Sequence, residues 1–64
     1  KQSSTVRIIM QEISDANEGL MKMSQIIDAA LVEGVSEPTV RTVISNLHRG
    51  GTIYESQTGT YQWT

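Results

Sequence analysis

The sequence predicts a small α+β domain in which three helices are followed by a short antiparallel hairpin. Three observations carry this. Apolar residues recur at i, i+3, i+4, i+7 over Val6–Ile13 and again over Val40–Leu47, the spacing of one helical face. The helical stretches run into Gly19, Gly34 and the pair Gly50-Gly51, where helices commonly stop. After Gly51 the chain turns to β-branched and aromatic residues on either side of a Gly-containing turn, which reads as a hairpin.

Taken in order, residues 1–4 read as a polar lead-in, with Ser3 or Ser4 placed to cap a helix. Helix 1 is expected over 5–15, with Val6, Ile9, Met10 and Ile13 facing inward and Ile8 off the stripe, where it can widen it. Asn17 and Gly19 are the residues expected to take the left-handed conformation that ends it. Leu20–Met23 reads as a short strand or extended link. Ser24 is the expected cap of helix 2, over 25–33, with Ile27, Ala30 and Leu31 inward, Gly34 as its stop and Val35 tucked under. Ser36 is expected to cap helix 3, with Glu37 favourable in its first turn and Pro38 tolerated there, since that N–H has no helical partner. Its inner face is Val40, Val43, Ile44 and Leu47. Residues 52–55 and 60–64 read as strands joined by the turn Ser56–Gly59. A third strand at 20–22 would help stabilise a hairpin that is marginal alone.

Helix, short strand, two helices joined by a glycine turn, then a hairpin is the order of a winged helix-turn-helix: three helices plus a short antiparallel sheet with one wing. The segment Gly51-Thr52-Ile53-Tyr54-Glu55, a turn, then Gly59-Thr60-Tyr61-Gln62-Trp63 resembles the end of archaeal MCM replicative helicases. In that family the wing reads roughly Gly-x-Ile-Tyr-Glu-Pro, a turn of a basic residue and Pro, then Gly-Tyr. Gly34-Val35-Ser36-Glu37 with Val40 is similar to that family's approach to helix 3. The likeness spans about residues 5–64. It departs at the wing, where Ser56 and Gln57-Thr58 stand in place of the family's Pro and basic-Pro pair.

A second family is also similar. The C-terminal winged helix of the middle subunit of replication protein A shares Glu18-Gly19-Leu20 after helix 1 and the Gly-x-Ile-Tyr wing, but not the Gly-x-Tyr-x-Trp ending. The first resemblance implies an accessory module of a helicase whose ATPase lies elsewhere in the parent chain. The second implies a protein-binding module, and a transcription regulator's DNA-reading winged helix is a further alternative.

Bulk composition narrows the chemistry. Sixty-four residues make one domain, and a chain of this size buries only about 60% of the surface that its unfolded form exposes. A substrate pocket with a catalytic constellation is not expected. There is no cysteine and one histidine, so disulfides and thiolate metal sites are excluded and no metal or cofactor is expected. Seven acids outweigh five bases for a net charge of −2. Nucleic-acid domains normally carry the opposite surplus, because phosphate neutralisation supplies most of their non-specific affinity. The apolar runs are far too short to cross a bilayer. The chain opens Lys-Gln without an initiator Met and reads as a domain cut from a longer protein, a monomer by itself, working in a prokaryotic cytoplasm at the nucleoid or in a eukaryotic nucleus.

The candidate contact residues are Arg41, Thr42, Ser45, Asn46 and Arg49 on the outer face of helix 3, with Thr58 in the wing turn. Arg and Asn there have the right donors for base edges in a major groove. The same residue types also keep an amphipathic helix soluble, and two arginines fall short of the six to ten phosphate contacts of a strong binder. His48 is expected to serve the last carbonyls of helix 3. Of Tyr54, Tyr61 and Trp63, at least two are expected to fill a core that has no Phe. Met10 and Met21 are expected to fill gaps in that core, with Met23 the most exposed of the three methionines. The scattered acids Glu12, Asp15, Glu18, Asp28 and Glu33 read as a solvated surface that repels phosphate. The expected partners are other domains of the parent helicase or replication proteins, with weak or no DNA binding by the isolated module and no membrane.

Overall fold

The computed structural model describes residues 2–64. Its elements follow the order α1 (Gln2–Ala16), β1 (Met21–Lys22), α2 (Met23–Val32), α3 (Glu37–Arg49), β2 (Ile53–Gln57) and β3 (Thr60–Trp63). The three strands form one antiparallel sheet in the order β1-β3-β2. This is the α+β winged helix that the element order implies. Fourteen buried apolar residues drawn from all six elements and the α2–α3 turn make a single core, flanked by Ile13, Met23, Ala29 and Trp63.

Helix α1 starts a turn earlier than its cap signals indicate. Ser3 and Ser4 lie inside it, so residues 2–4 are not a lead-in, and Lys1 lies outside the described residues. Serine is a tolerable helix residue, and Ser3 shares a cleft with Pro38, Thr39, Thr42 and Val43 of α3. Ser3 and Ser4 are both exposed, so the added turn extends α1 by helix propagation rather than by packing. Val6, Ile9 and Met10 are buried as the stripe requires. Ile8 does not widen it and is 61% exposed.

All three helices end by the same device, in which an N–H reaches back to the carbonyl five residues earlier. Gly19 donates to Ser14 O at 2.8 Å, Val35 to Ala30 O at 2.9 Å and Thr52 to Leu47 O at 2.9 Å. Each motif needs a left-handed residue just before that donor. Gly34 (φ 83°) and Gly51 (φ 78°) supply it for α2 and α3. For α1 it is Glu18 (φ 57°), followed by Gly19 (φ 90°). The expected Asn17 instead donates from its backbone and side chain to Ile13 O. A non-glycine residue in this region costs about 1–2 kcal/mol. Glycine there returns part of that gain as extra unfolded-chain entropy. Glu18→Gly is therefore expected to stabilise the fold by about 0.5–1 kcal/mol, read as a higher urea midpoint; a lower midpoint would show that the Glu18 side chain contributes more than its strain.

Ser24 is not the cap of α2. The helix begins at Met23 with Lys22 in the cap position and no side-chain cap bond. The reason lies in the sheet: Met21 pairs with Tyr61 and Lys22 with Thr60. The next donor, Met23 N–H, is taken by Gly59 O at 2.8 Å. Ladder bonding passes directly into the helix and replaces the cap. Ile26, Ile27 and Ala30 form the buried face of α2, and Leu31 is exposed. Val35 is buried beneath the turn, as expected.

Ser36 occupies the cap position of α3, but its hydroxyl meets Thr39 Oγ1 at 3.1 Å rather than a backbone N–H. The wing turn is shorter than the sequence suggests. Ser56 and Gln57 belong to β2, and only Thr58-Gly59 separates the strands. Glu55 faces Tyr61 and Gln57 faces Thr60, so Ser56 is the extra residue of a bulge. Glu55 Oε2 accepts from Gly59 N–H at 2.8 Å and closes the turn.

Candidate functional interface

The contact residues that the sequence suggests lie on the outer face of α3 and in the wing. At about 100° per residue, Arg41, Thr42, Ser45, Asn46 and Arg49 fan over an arc of roughly 140°. The opposite arc holds the buried Val40, Val43, Ile44 and Leu47. All five outer residues are exposed, so α3 brings them together on one face. Thr58 is exposed too, on a separate element, the wing turn.

Two of the five are already engaged within the helix. Arg41 forms a salt bridge to Glu37, with Nη2 and Nε each 2.9 Å from Oε2. Both side chains are exposed, and such a pair contributes only about 0.2–1 kcal/mol to stability. Its larger consequence is that a carboxylate sits against one of the two arginines on this face. The Thr42 hydroxyl donates to Pro38 O at 3.0 Å. Among the described residues, Arg49 is the cation of α3 that has no ion-pair partner.

The wing offers no compensation. Its turn holds no base, and the charged side chain nearest its tip is Glu55. Tyr54 lies outward at 45% exposure, its hydroxyl donating to Gln62 Oε1 across the strands. Tyr61 is buried and Trp63 packs partly against the core, so two of the three aromatics fill it, as expected. Met10 and Met21 are fully buried and Met23 partly so.

His48 does not serve the end of α3. Its ring meets Tyr61 edge-on, with centroids 5.9 Å apart at 74°, and backbone bonds close the helix instead, Gly50 N–H to Asn46 O at 3.0 Å and Gly51 N–H to His48 O at 3.1 Å. The hydroxyl of Tyr61 titrates above the ordinary tyrosine value. Burial is the main cause and the negative charge of Glu55 adds to it, while Arg41 acts in the other direction.

Chemistry of other kinds finds little here. No group of three or more His, Asp or Glu side chains converges to hold a metal ion among the described residues. No helix is long and apolar enough to cross a membrane. The clefts are shallow, and one of about 300 Å³ lies between α1 and the end of α2, lined by Thr5, Ile8, Ile9, Glu12 and Glu33. Sequence reasoning missed this convergence, reading Ile8 as an extension of the core and the two acids as unrelated surface charge. Only the packing of α1 on α2 brings them together.

No curated protein and no solved structure matches the chain. A family model does, over residues 1–64: the MCM protein C-terminal winged helix-turn-helix domain. With three helices, a short sheet and one wing in the corresponding order, the chain belongs to the family of MCM C-terminal winged-helix domains.

Proposed function

We propose that this chain is a non-catalytic accessory module of a replicative MCM helicase of archaeal type. It modulates the motor's ATPase and unwinding through contacts with protein, and touches DNA weakly at most. The ATPase belongs to the rest of the parent protein, and the module works where chromosomal DNA is replicated, at the nucleoid of a prokaryote or in the nucleus of a eukaryote. One observation carries the reading: of the two arginines on the face of α3, Arg41 is held by Glu37, and the wing turn has no base. One unpaired arginine is far from the number of phosphate contacts that tight DNA binding requires.

Deleting the segment from the parent helicase is expected to change ATPase or unwinding rates, with the isolated chain binding duplex only at low salt. In an amide-shift titration, the weak contacts are expected at Arg49, Asn46, Ser45 and Thr58, fading steeply as salt is raised. Parent kinetics unaltered by the deletion would defeat the accessory role. Salt-resistant duplex binding would instead favour a DNA reader.

A further inference from the structure

An accessory module that acts through protein contacts needs a docking surface, and the inference here rests on that reading. Charge is divided unevenly along the chain. Residues 1–33 hold five acids against the three bases Lys1, Arg7 and Lys22, whereas residues 34–64 hold two of each. The negative surplus therefore belongs to the α1–α2 half, and the groove between α1 and the end of α2 lies in it.

The groove has an apolar base and acidic edges. Ile8 is 61% exposed within it, beside the core residue Ile9. Glu12 stands on α1 and Glu33 just beyond α2, and neither carboxylate has an ion-pair partner among the described residues. Arg7, next to Ile8 in sequence, does not neutralise them. On a helical projection it lies about 150° around α1 from the centre of the set Thr5, Ile8, Ile9 and Glu12. Leu31 and Val32, immediately before Glu33, are also exposed at this end of α2. Phosphate-bearing partners are repelled by such a surface, and an exposed isoleucine between unpaired carboxylates suits a ligand with the opposite pattern.

We propose that this groove docks a basic amphipathic segment of a partner protein. An aliphatic side chain of the segment rests on Ile8, and flanking Lys or Arg residues face Glu12 and Glu33. The volume, about 300 Å³, is at the lower end for binding pockets, which fits a side-chain anchor rather than a small-molecule ligand.

The test uses a helical leucine–lysine peptide titrated into the isotope-labelled 64-residue chain at low salt. Amide shifts are expected to centre on Thr5, Ile8, Glu12 and Glu33, and a leucine–glutamate peptide should produce none. The double variant Glu12→Gln/Glu33→Gln should bind about three- to tenfold more weakly, as loss of two exposed charge pairs implies, and Ile8→Ser should also weaken binding. Asp15→Asn/Asp28→Asn removes the same charge elsewhere and should leave the affinity within about twofold.

Equal weakening by both double variants would reduce the effect to general attraction and overturn the site. Shifts at these residues on concentrating the chain without peptide would assign the groove to a second copy and also overturn it. If the peptide fails while deletion still alters the parent's ATPase, the groove falls and the accessory role stands. If the peptide binds at the groove while deletion is silent, the accessory role falls and the groove stands.

Discussion

Ile26→Ala is expected to cost about 2–5 kcal/mol, the range for truncating a fully enclosed aliphatic side chain. Ile26 is 0% exposed at the centre of the α2 face. A chain of this length has roughly 3–10 kcal/mol of total stability, so the loss takes a substantial share of it and lowers the urea midpoint accordingly. The informative control is Leu31→Ala on the same helix. Leu31 is 55% exposed, and its truncation should change stability by no more than about 0.5 kcal/mol. Urea unfolding followed by circular dichroism reads both. Comparable losses would mean that α2 is rotated from the orientation described.

Tyr61→Ala is expected to be at least as severe, at about 3–5 kcal/mol. Tyr61 is 8% exposed on β3, the middle strand, where it lies between Met21 of β1 and Glu55 of β2 and meets the His48 ring. Its removal opens a void where all three strands and α3 adjoin. Tyr61→Phe retains the ring and should cost under about 1 kcal/mol at neutral pH. The two differ again in alkali. Burial and Glu55 raise the folded pKa of the Tyr61 hydroxyl, against a smaller opposing influence of Arg41. A raised pKa means that the folded state favours the neutral phenol, so its contribution is complete below the unfolded value near 10 and is lost as pH climbs past it. The wild-type chain should therefore lose more stability above about pH 10 than Tyr61→Phe does. Parallel losses in the two chains would show that this hydroxyl is not the group responsible.

The α3 helix and the hairpin were legible because their information is local. Val40, Val43, Ile44 and Leu47 define one face without reference to anything else, and Gly50-Gly51 can hardly be read except as a stop. The α2 helix was less legible. Ile26, Ile27, Ala30 and Leu31 can be divided into two plausible inner faces, and only the positions of α1 and β1 select the one without Leu31. Its start was misread for a related reason. Met23 N–H is satisfied by Gly59, which lies 36 residues further along the chain, and no local pattern announces such a bond. Glu18 hides its backbone conformation because glutamate is a poor marker of the left-handed region.

The candidate surface was readable as a list of exposed residues and not as a set of free ones. That Arg41 is turned toward Glu37 follows from their i, i+4 spacing, which is visible in the sequence. The groove on α1 was not readable at all, since Glu33 and Glu12 are brought together only by helix packing.

The position of β3 in the sheet bears on how the domain is made. It is the last strand in sequence and the middle strand in space, and it carries every strand pairing that the fold contains. A chain that has emerged from the ribosome only as far as residue 59 has β1 and β2 but no partner for either. Sheet formation must wait for residues 60–63, and closing Met21 onto Tyr61 then spans forty residues at once. Translation thus delivers the helices early and the sheet in a single late event. A nascent or proteolysed chain lacking residues 60–64 would have lost both hairpin and third strand together, leaving the apolar sides of three helices uncovered for quality-control machinery to recognise.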